Sequence, residues 1–136
     1  MDPMTEAVLL LLQGIHVHLI ELPENFGFCK AVNEGIRASR SPYVLLLNND
    51  IEVTENFIEE MLSAIKRHPK AFSCAARMIQ FHDRDRLDDA GNYYCALGWA
   101  YARGKGKDIH TYEKEEKIFA SCAGAAIYRK KIFDEL

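Results

Sequence analysis

Apolar positions fall along the chain in blocks whose spacing switches between helical and extended periods. Thr5 caps a first helix and Gly14 stops it. Ile15, Val17 and Leu19 then alternate with His16, His18 and Ile20, which predicts a strand over 15–21 ending at Pro23. Phe28 to Ala38 predicts a helix with Val32 and Ile36 four residues apart on its apolar side. Ser41-Pro42 breaks it, and Tyr43 to Leu47 is a continuous apolar run, the pattern of a strand buried on both faces of a parallel sheet. Thr54 then caps an amphipathic helix carrying Phe57, Ile58, Met61, Leu62 and Ile65, closed by Pro69. Phe72 to Phe81 is a further strand. The pattern dissolves over 82–111, returns as a small-residue strand at Phe119 to Tyr128, and ends on a helix begun at Arg129. Strand and helix alternate, so the expected fold class is α/β: one domain over 1–136, with a mainly parallel sheet flanked by helices.

Composition narrows the functional classes. A chain of 136 residues that is 49% hydrophobic and 27% charged suits a single globular domain with a real core. The net charge of −3 carries no basic excess, so nucleic acid is not an expected partner. Cys29, Cys74, Cys95 and Cys122 form no C-x-x-C pair, and two of them lie inside apolar runs, as reduced cysteines do. The apolar run Ala7 to Leu12 falls far short of the roughly 20 residues of a membrane span, and Asp2 and Glu6 argue against a signal peptide. A cytoplasmic location is expected, with peripheral placement at the inner face of a membrane as a variant. His16 and His18 share a strand face, as a metal pair would; with no third ligand in view, half-exposed polar positions are the preferred reading.

The chemistry concentrates at Tyr43-Val44-Leu45-Leu46-Leu47-Asn48-Asn49-Asp50. In open α/β sheets ligands bind beyond the carboxyl ends of the strands. Asn48 and Asp50 offer oxygens there to one hard cation, whose shell a diphosphate would complete. Taken alone, the stretch also reads as an ordinary strand-to-helix turn, which favours Asn and Asp.

The preceding segment, Glu24-Asn25-Phe26-Gly27-Phe28-Cys29-Lys30-Ala31-Val32-Asn33-Glu34-Gly35-Ile36, changes that balance. With Leu47-Asn48-Asn49-Asp50 it resembles the family 2 glycosyltransferases of the GT-A fold, particularly rhamnosyltransferase-like members. Their N-x-G-F-x-x-G-x-N-x-G-I pattern is followed one strand later by L-N-x-D. Asn25, Gly27, Phe28, Asn33, Gly35 and Ile36 match, while Ala31 stands where glycine is common. Asp89-Ala90-Gly91-Asn92, Arg103-Gly104-Lys105-Gly106 and Ala123-Gly124-Ala125-Ala126-Ile127-Tyr128-Arg129 are similar to three later segments of that family, in order. The resemblance implies an inverting transfer from a nucleotide-diphosphate sugar to a saccharide or lipid-linked acceptor. It places Mg²⁺ or Mn²⁺ on Asp50 and Asn48, with Asn48 replacing the first carboxylate of a D-x-D pattern. Asn25, Gly27, Asn33, Asn49 and Asp50 form the implied donor-binding set.

Compared with that family, the chain opens after the first strands, including one ending in a nucleotide-binding Asp, and stops before the acidic catalytic base. The expectation is a partial GT-A domain, truncated at both ends, with no catalytic residue assigned and little turnover of its own. A fragment of this kind is expected to form a homo-oligomer. Two other readings stand beside it. One is a catalytically silent nucleotide-sugar-binding or assembly module. The other is a HAD-type phosphatase relative, weakened because Asn48 holds the place of the nucleophilic Asp and no Thr follows two residues after Asp50.

Overall fold

The structure, a computed structural model, describes residues 17–135. The chain divides into two units, Met1–Arg40 and Ser41–Leu136. The expected first helix at Thr5 to Gly14 lies outside the described residues, as do Ile15 and His16. No helix among the described residues is long and apolar enough to cross a membrane.

In the first unit, helix α1 spans Phe28–Ala38, the range the periodicity predicts. Ile36 is buried and Val32 half-buried, whereas Lys30, Glu34 and Arg37 form an ion-paired outer face with both separations 3.0 Å. Lys30 chiefly, then Arg37, holds the Glu34 carboxyl below its ordinary value. The described part of the expected strand, Val17 to Glu21, joins no ladder. Alternation supplies a strand's side-chain pattern, but a strand exists only where a neighbour takes up its backbone groups.

The second unit holds β1 (Tyr43–Leu47), α2 (Phe57–Arg67), β2 (Ser73–Ala75), β3 (Met78–Ile79), β4 (Leu87–Asp89), β5 (Asn92–Tyr94), β6 (Ala100–Ala102), β7 (Ala125–Arg129) and α3 (Lys130–Asp134). The main sheet has the order β1-β7-β2. β7 is antiparallel to both neighbours, with Ile127 opposite Leu45 on one side and Cys74 on the other. This corrects the expectation of a mainly parallel sheet. β1 and β2 do run parallel, but β7 separates them, and every ladder among the described residues is antiparallel.

The register explains the core. Tyr43, Leu45, Ile127 and Cys74 fall on one sheet face by alternation, and α2 lays Met61 and Ile65 against it. Tyr128 is buried too, against Phe72 and Phe133 at ring-centroid distances of 5.4 and 5.5 Å. β1 is half-buried rather than buried throughout, because it pairs along one edge only among the described residues. The cap of α2 also differs. Asn56 holds the N-cap position without a side-chain bond, while Thr54 contributes its carbonyl to the Phe57 amide at 3.1 Å. Ile58, expected on the apolar side, is exposed.

Arg129 fastens these layers together. Its Nη2 donates to the carbonyls of Ile65 at 2.6 Å and His68 at 3.1 Å, and its Nε donates to the carbonyl of Ala71 at 2.9 Å. A guanidinium thus closes the carboxyl end of α2 from the neighbouring strand, where the helix dipole favours positive charge.

The expected strand over 72–81 is split into β2 and β3, which pair with different partners. The stretch 82–111, patternless in sequence, contains β4, β5 and β6 in short hairpins. Its anchors are two buried charged residues, Asp89 and Arg103. The Asp89 carboxylate accepts from the Gly91 amide. Arg103 donates to the Ala90 carbonyl at 3.0 Å, pairs with Glu116, and stacks its guanidinium 3.8 Å from the Tyr112 ring centroid. Backbone bonds Ala90 N to Arg103 O (2.9 Å) and Arg103 N to Gly91 O (2.8 Å) close the clasp. Gly91 has φ 98° and leaves no room for a side chain, since a Cβ there would meet Ile118 at 2.7 Å. The segments Asp89 to Asn92 and Arg103 to Gly106 are therefore two halves of one structural device.

Arg129→Ala removes four charge-assisted bonds, three to carbonyls and one to the Tyr43 hydroxyl, and is expected to destabilise the fold by about 3 kcal/mol. Arg129→Lys restores the charge but not the fork, and should recover less than half of that loss in urea unfolding. For Asp89, burial raises the carboxyl pKa, against the lowering effect of the Gly91 amide. An acid whose folded pKa is raised loses its stabilising contribution as pH climbs from its unfolded toward its folded value. Asp89→Asn keeps an acceptor for Gly91 and is expected to fold. Its stability relative to wild type should improve as pH rises through that window, which denaturation at a series of pH values measures. Asp89→Ala, leaving the buried amide unpaired, should cost about 2 kcal/mol.

Candidate functional site

The strand β1 delivers Asn48, Asn49 and Asp50 to its carboxyl end, and all three are exposed. The ladder to β7 continues one bond past the strand, with the Asn48 amide donating to the Gly124 carbonyl at 2.9 Å. Asn49 and Asp50 then occupy a turn before the chain enters α2. A ladder bond thus fixes the backbone at Asn48, and the two residues after it stand free of the sheet.

Loop 122–124 packs beside Asn48. A Cβ placed on Gly124 would lie 3.6 Å from Asn48 Nδ2, 3.7 Å from Cys122 Sγ and 3.7 Å from Ile51 Cδ1, which are ordinary contact distances. The Cys122 thiol lies near the Asp89 carboxylate, close enough to offset part of the rise in its pKa caused by burial. A continuous path therefore links the clasp of the small hairpins to the turn at the end of β1: Asp89, Cys122, the small loop and Asn48. Ser73 Oγ and Ser121 Oγ, 2.8 Å apart, secure the other flank of the same loop. Asn48 and Asp50 both line a broad open groove whose wall also includes Asp88, Ala90, Arg103 and Gly124.

Asp50 has no hydrogen bond or ion pair to protein among the described residues. An unpartnered carboxylate on a groove wall, two residues from an exposed amide, fits a hard cation that takes its remaining ligands from water and a diphosphate. Among the described residues, no group of three or more His, Cys, Asp or Glu side chains forms a metal cage. Asn48 and Asp50 suit a shared, substrate-completed site better than a closed one.

The other donor-binding candidates belong to the first unit. Asn25 Oδ1 accepts from the Gly27 amide at 2.9 Å, an Asx turn that leads into α1. Gly27 has φ 81°, which demands glycine, and its side-chain position is open. Asn33 is exposed on α1. The structure thus brings Asn48 and Asp50 to one groove, and joins Asn25 to Gly27 through a turn.

Sequence reasoning missed Cys122 and the buried state of Asp89. The only signal for them was membership in two separate motifs, the Asp89-Ala90-Gly91 run and the small-residue run at 123–126. Nothing in either run announced that they meet.

A family model described as glycosyl transferase family 2 matches residues 3–136. No curated protein and no solved structure matches the chain. With the match running almost from end to end, the chain belongs to glycosyl transferase family 2 and has an α/β fold of the GT-A nucleotide-sugar transferase type.

Proposed function

We propose that the groove beside Asn48 and Asp50 binds a nucleotide-diphosphate sugar through Mg²⁺ or Mn²⁺, for inverting transfer to a saccharide or lipid-linked acceptor. The observation that carries this reading is the unpartnered Asp50 carboxylate on the groove wall, at the carboxyl end of β1. Asn48 and Asp50 would hold the cation. When bound, it would stabilise negative charge on a departing nucleoside diphosphate. Asn48 is neutral, so the pair brings one negative charge fewer than two carboxylates, and the metal depends more on the diphosphate for its ligands. Asn49 belongs to the same turn and would contact the donor.

The chain's own contribution is binding and positioning. The ladder bond to Gly124 fixes the start of the turn, and the absence of a side chain at Gly124 leaves space beside the Asn48 amide. Asn25, Gly27 and Asn33 support donor binding in this reading, Asn25 by shaping the turn through its bond to Gly27. No residue of the chain is assigned the role of acceptor-activating base. The competing reading, a silent nucleotide-sugar-binding module, shares the donor site and differs only in turnover. The reading places the protein in the cytoplasm, with acceptor chemistry at the inner face of a membrane. It also includes self-association. β1 leaves one edge unpaired among the described residues, and its sequence Tyr-Val-Leu-Leu-Leu has no charge or proline to discourage another strand.

Calorimetric titration of UDP, GDP and dTDP with Mn²⁺ is expected to show metal-dependent binding of at least one nucleotide. Asp50→Ala should weaken it about ten-fold or more, and Asn48→Asp should tighten Mn²⁺ by adding a charge. Equal affinity in wild type and Asp50→Ala would remove Asp50 from the site. Release of labelled sugar from a bound donor separates the enzyme from the silent module. Light scattering at micromolar protein should report a dimer or larger species, and a monodisperse monomer would eliminate the β1-edge association.

A further inference from the structure

The β5–β6 hairpin has an unusual surface. Tyr93 lies opposite Tyr101 in the ladder, with ring centroids 5.3 Å apart. On the other face Tyr94 stacks on Phe119 at 4.8 Å with the planes tilted by 16°. The connecting loop carries Leu97, which is 78% exposed, and Trp99, 67% exposed. From Asn92 to Ala102 no residue is charged. Five large apolar or aromatic side chains therefore stand in water on one small element, with Phe119 stacked beside them, beyond the scattered exposure that ordinary surfaces show.

The charges around the hairpin complement this apolar tip. No carboxylate occurs from Asn92 through Lys107. The acidic side chains that follow are mostly engaged: Glu113 by His110, Glu115 by Arg67 and His68, and Glu116 by Arg103. Asp108 accepts from the His110 amide at 2.8 Å. Lys107, Lys114 and Lys117, by contrast, have no carboxylate partner among the described residues. Lys107 reaches only the Tyr112 hydroxyl, at 3.0 Å. In a chain of net charge −3, unpaired positive charge thus gathers in the segments next to the aromatic hairpin.

Tyr and Trp favour the boundary between hydrocarbon and headgroups, where an amphipathic ring is apolar at one end and wet at the other. Lysines beside such a tip gain from anionic headgroups. We infer that the β5–β6 hairpin, with Phe119 stacked on it, Lys107 beside it through Tyr112, and Lys114 and Lys117 on the segment that leads into Phe119, is a docking surface for an anionic lipid bilayer. Leu97 and Trp99 enter the interface first, and the two tyrosine faces follow to headgroup depth. No residue in it is a candidate metal or nucleotide ligand; Lys114, Lys117 and Phe119 also line the groove that holds Asn48 and Asp50, whereas Leu97 and Trp99 do not.

Trp99 is the one tryptophan of the chain, so its fluorescence reports on the tip without labelling. Phosphatidylcholine vesicles containing phosphatidylglycerol should shift the emission to the blue, with quenching by lipids brominated high on the acyl chain. Pure phosphatidylcholine vesicles should bind more weakly. Leu97→Ser, at an exposed loop position, is expected to lower partitioning about ten-fold. Lys114→Gln combined with Lys117→Gln should lower it about thirty-fold on anionic vesicles only. Both variants should keep the wild-type circular dichroism. An emission unchanged by any vesicle would overturn the inference. So would a blue shift that follows protein concentration without lipid, which makes the hairpin a protein contact. A shift produced by soluble oligosaccharide and not by vesicles would overturn it too, making the aromatics a sugar platform.

Discussion

Both outer strands of the main sheet take their backbone partners from one strand, Ala125–Arg129. This shared pairing is the constraint on which the rest depends. Without β7, β1 and β2 have no ladder among the described residues, and Ile65 and Met61 lose the Ile127 face they pack upon. The residues suit the task. Ala125 and Ala126 are small enough to sit buried at the sheet centre, Ile127 supplies apolar volume towards α2, and Arg129 reaches the carbonyls at that helix's end. The same pairing places Gly124 against Asn48, so the turn at the groove is set by the register of β7.

Site and scaffold meet through small contacts rather than through a dedicated cage. Asp89 is buried, accepts from the Gly91 amide and lies near the Cys122 thiol. Cys122 lies beside the space at Gly124, and Asn48 borders that space from the other side. Disturbing the clasp of the hairpins would therefore reach the groove twice, through Ala90 and Arg103 in its wall and through the loop at Cys122. Asp50, at the far end of this path, is held only by its backbone. Such freedom suits the donor-binding role proposed for Asp50, in which a diphosphate is engaged and released again.

Much of this architecture was legible in the residues, for physical reasons. α1 and β1 fell where expected, because Pro42 and Gly27 punctuate them and their apolar spacing is unambiguous. The Asn48 to Asp50 turn was legible because a strand's carboxyl end is a place of chemistry in α/β proteins. The direction of β7 was not. Antiparallel insertion between β1 and β2 depends on a long connection, and local pattern carries no information about which strand pairs with which. Segment 82–111 was unreadable for a related reason: strands of three residues are too short to show a period. Asn25 is implied as a donor-site residue by its motif, and its bond to Gly27 gives it a turn role as well.

The central strand is also the last of the three to be synthesised. Its pairing with β1 spans about 80 residues, a separation that makes closure slow compared with local hairpins. On the ribosome, Tyr43 to Leu47 is finished long before Ala125 to Arg129 exists, and α2 forms over a face whose middle is vacant. During translation the chain thus carries an apolar, uncharged strand awaiting its mate, the class of segment that chaperones shelter. Slower elongation across the intervening segment lengthens that exposure.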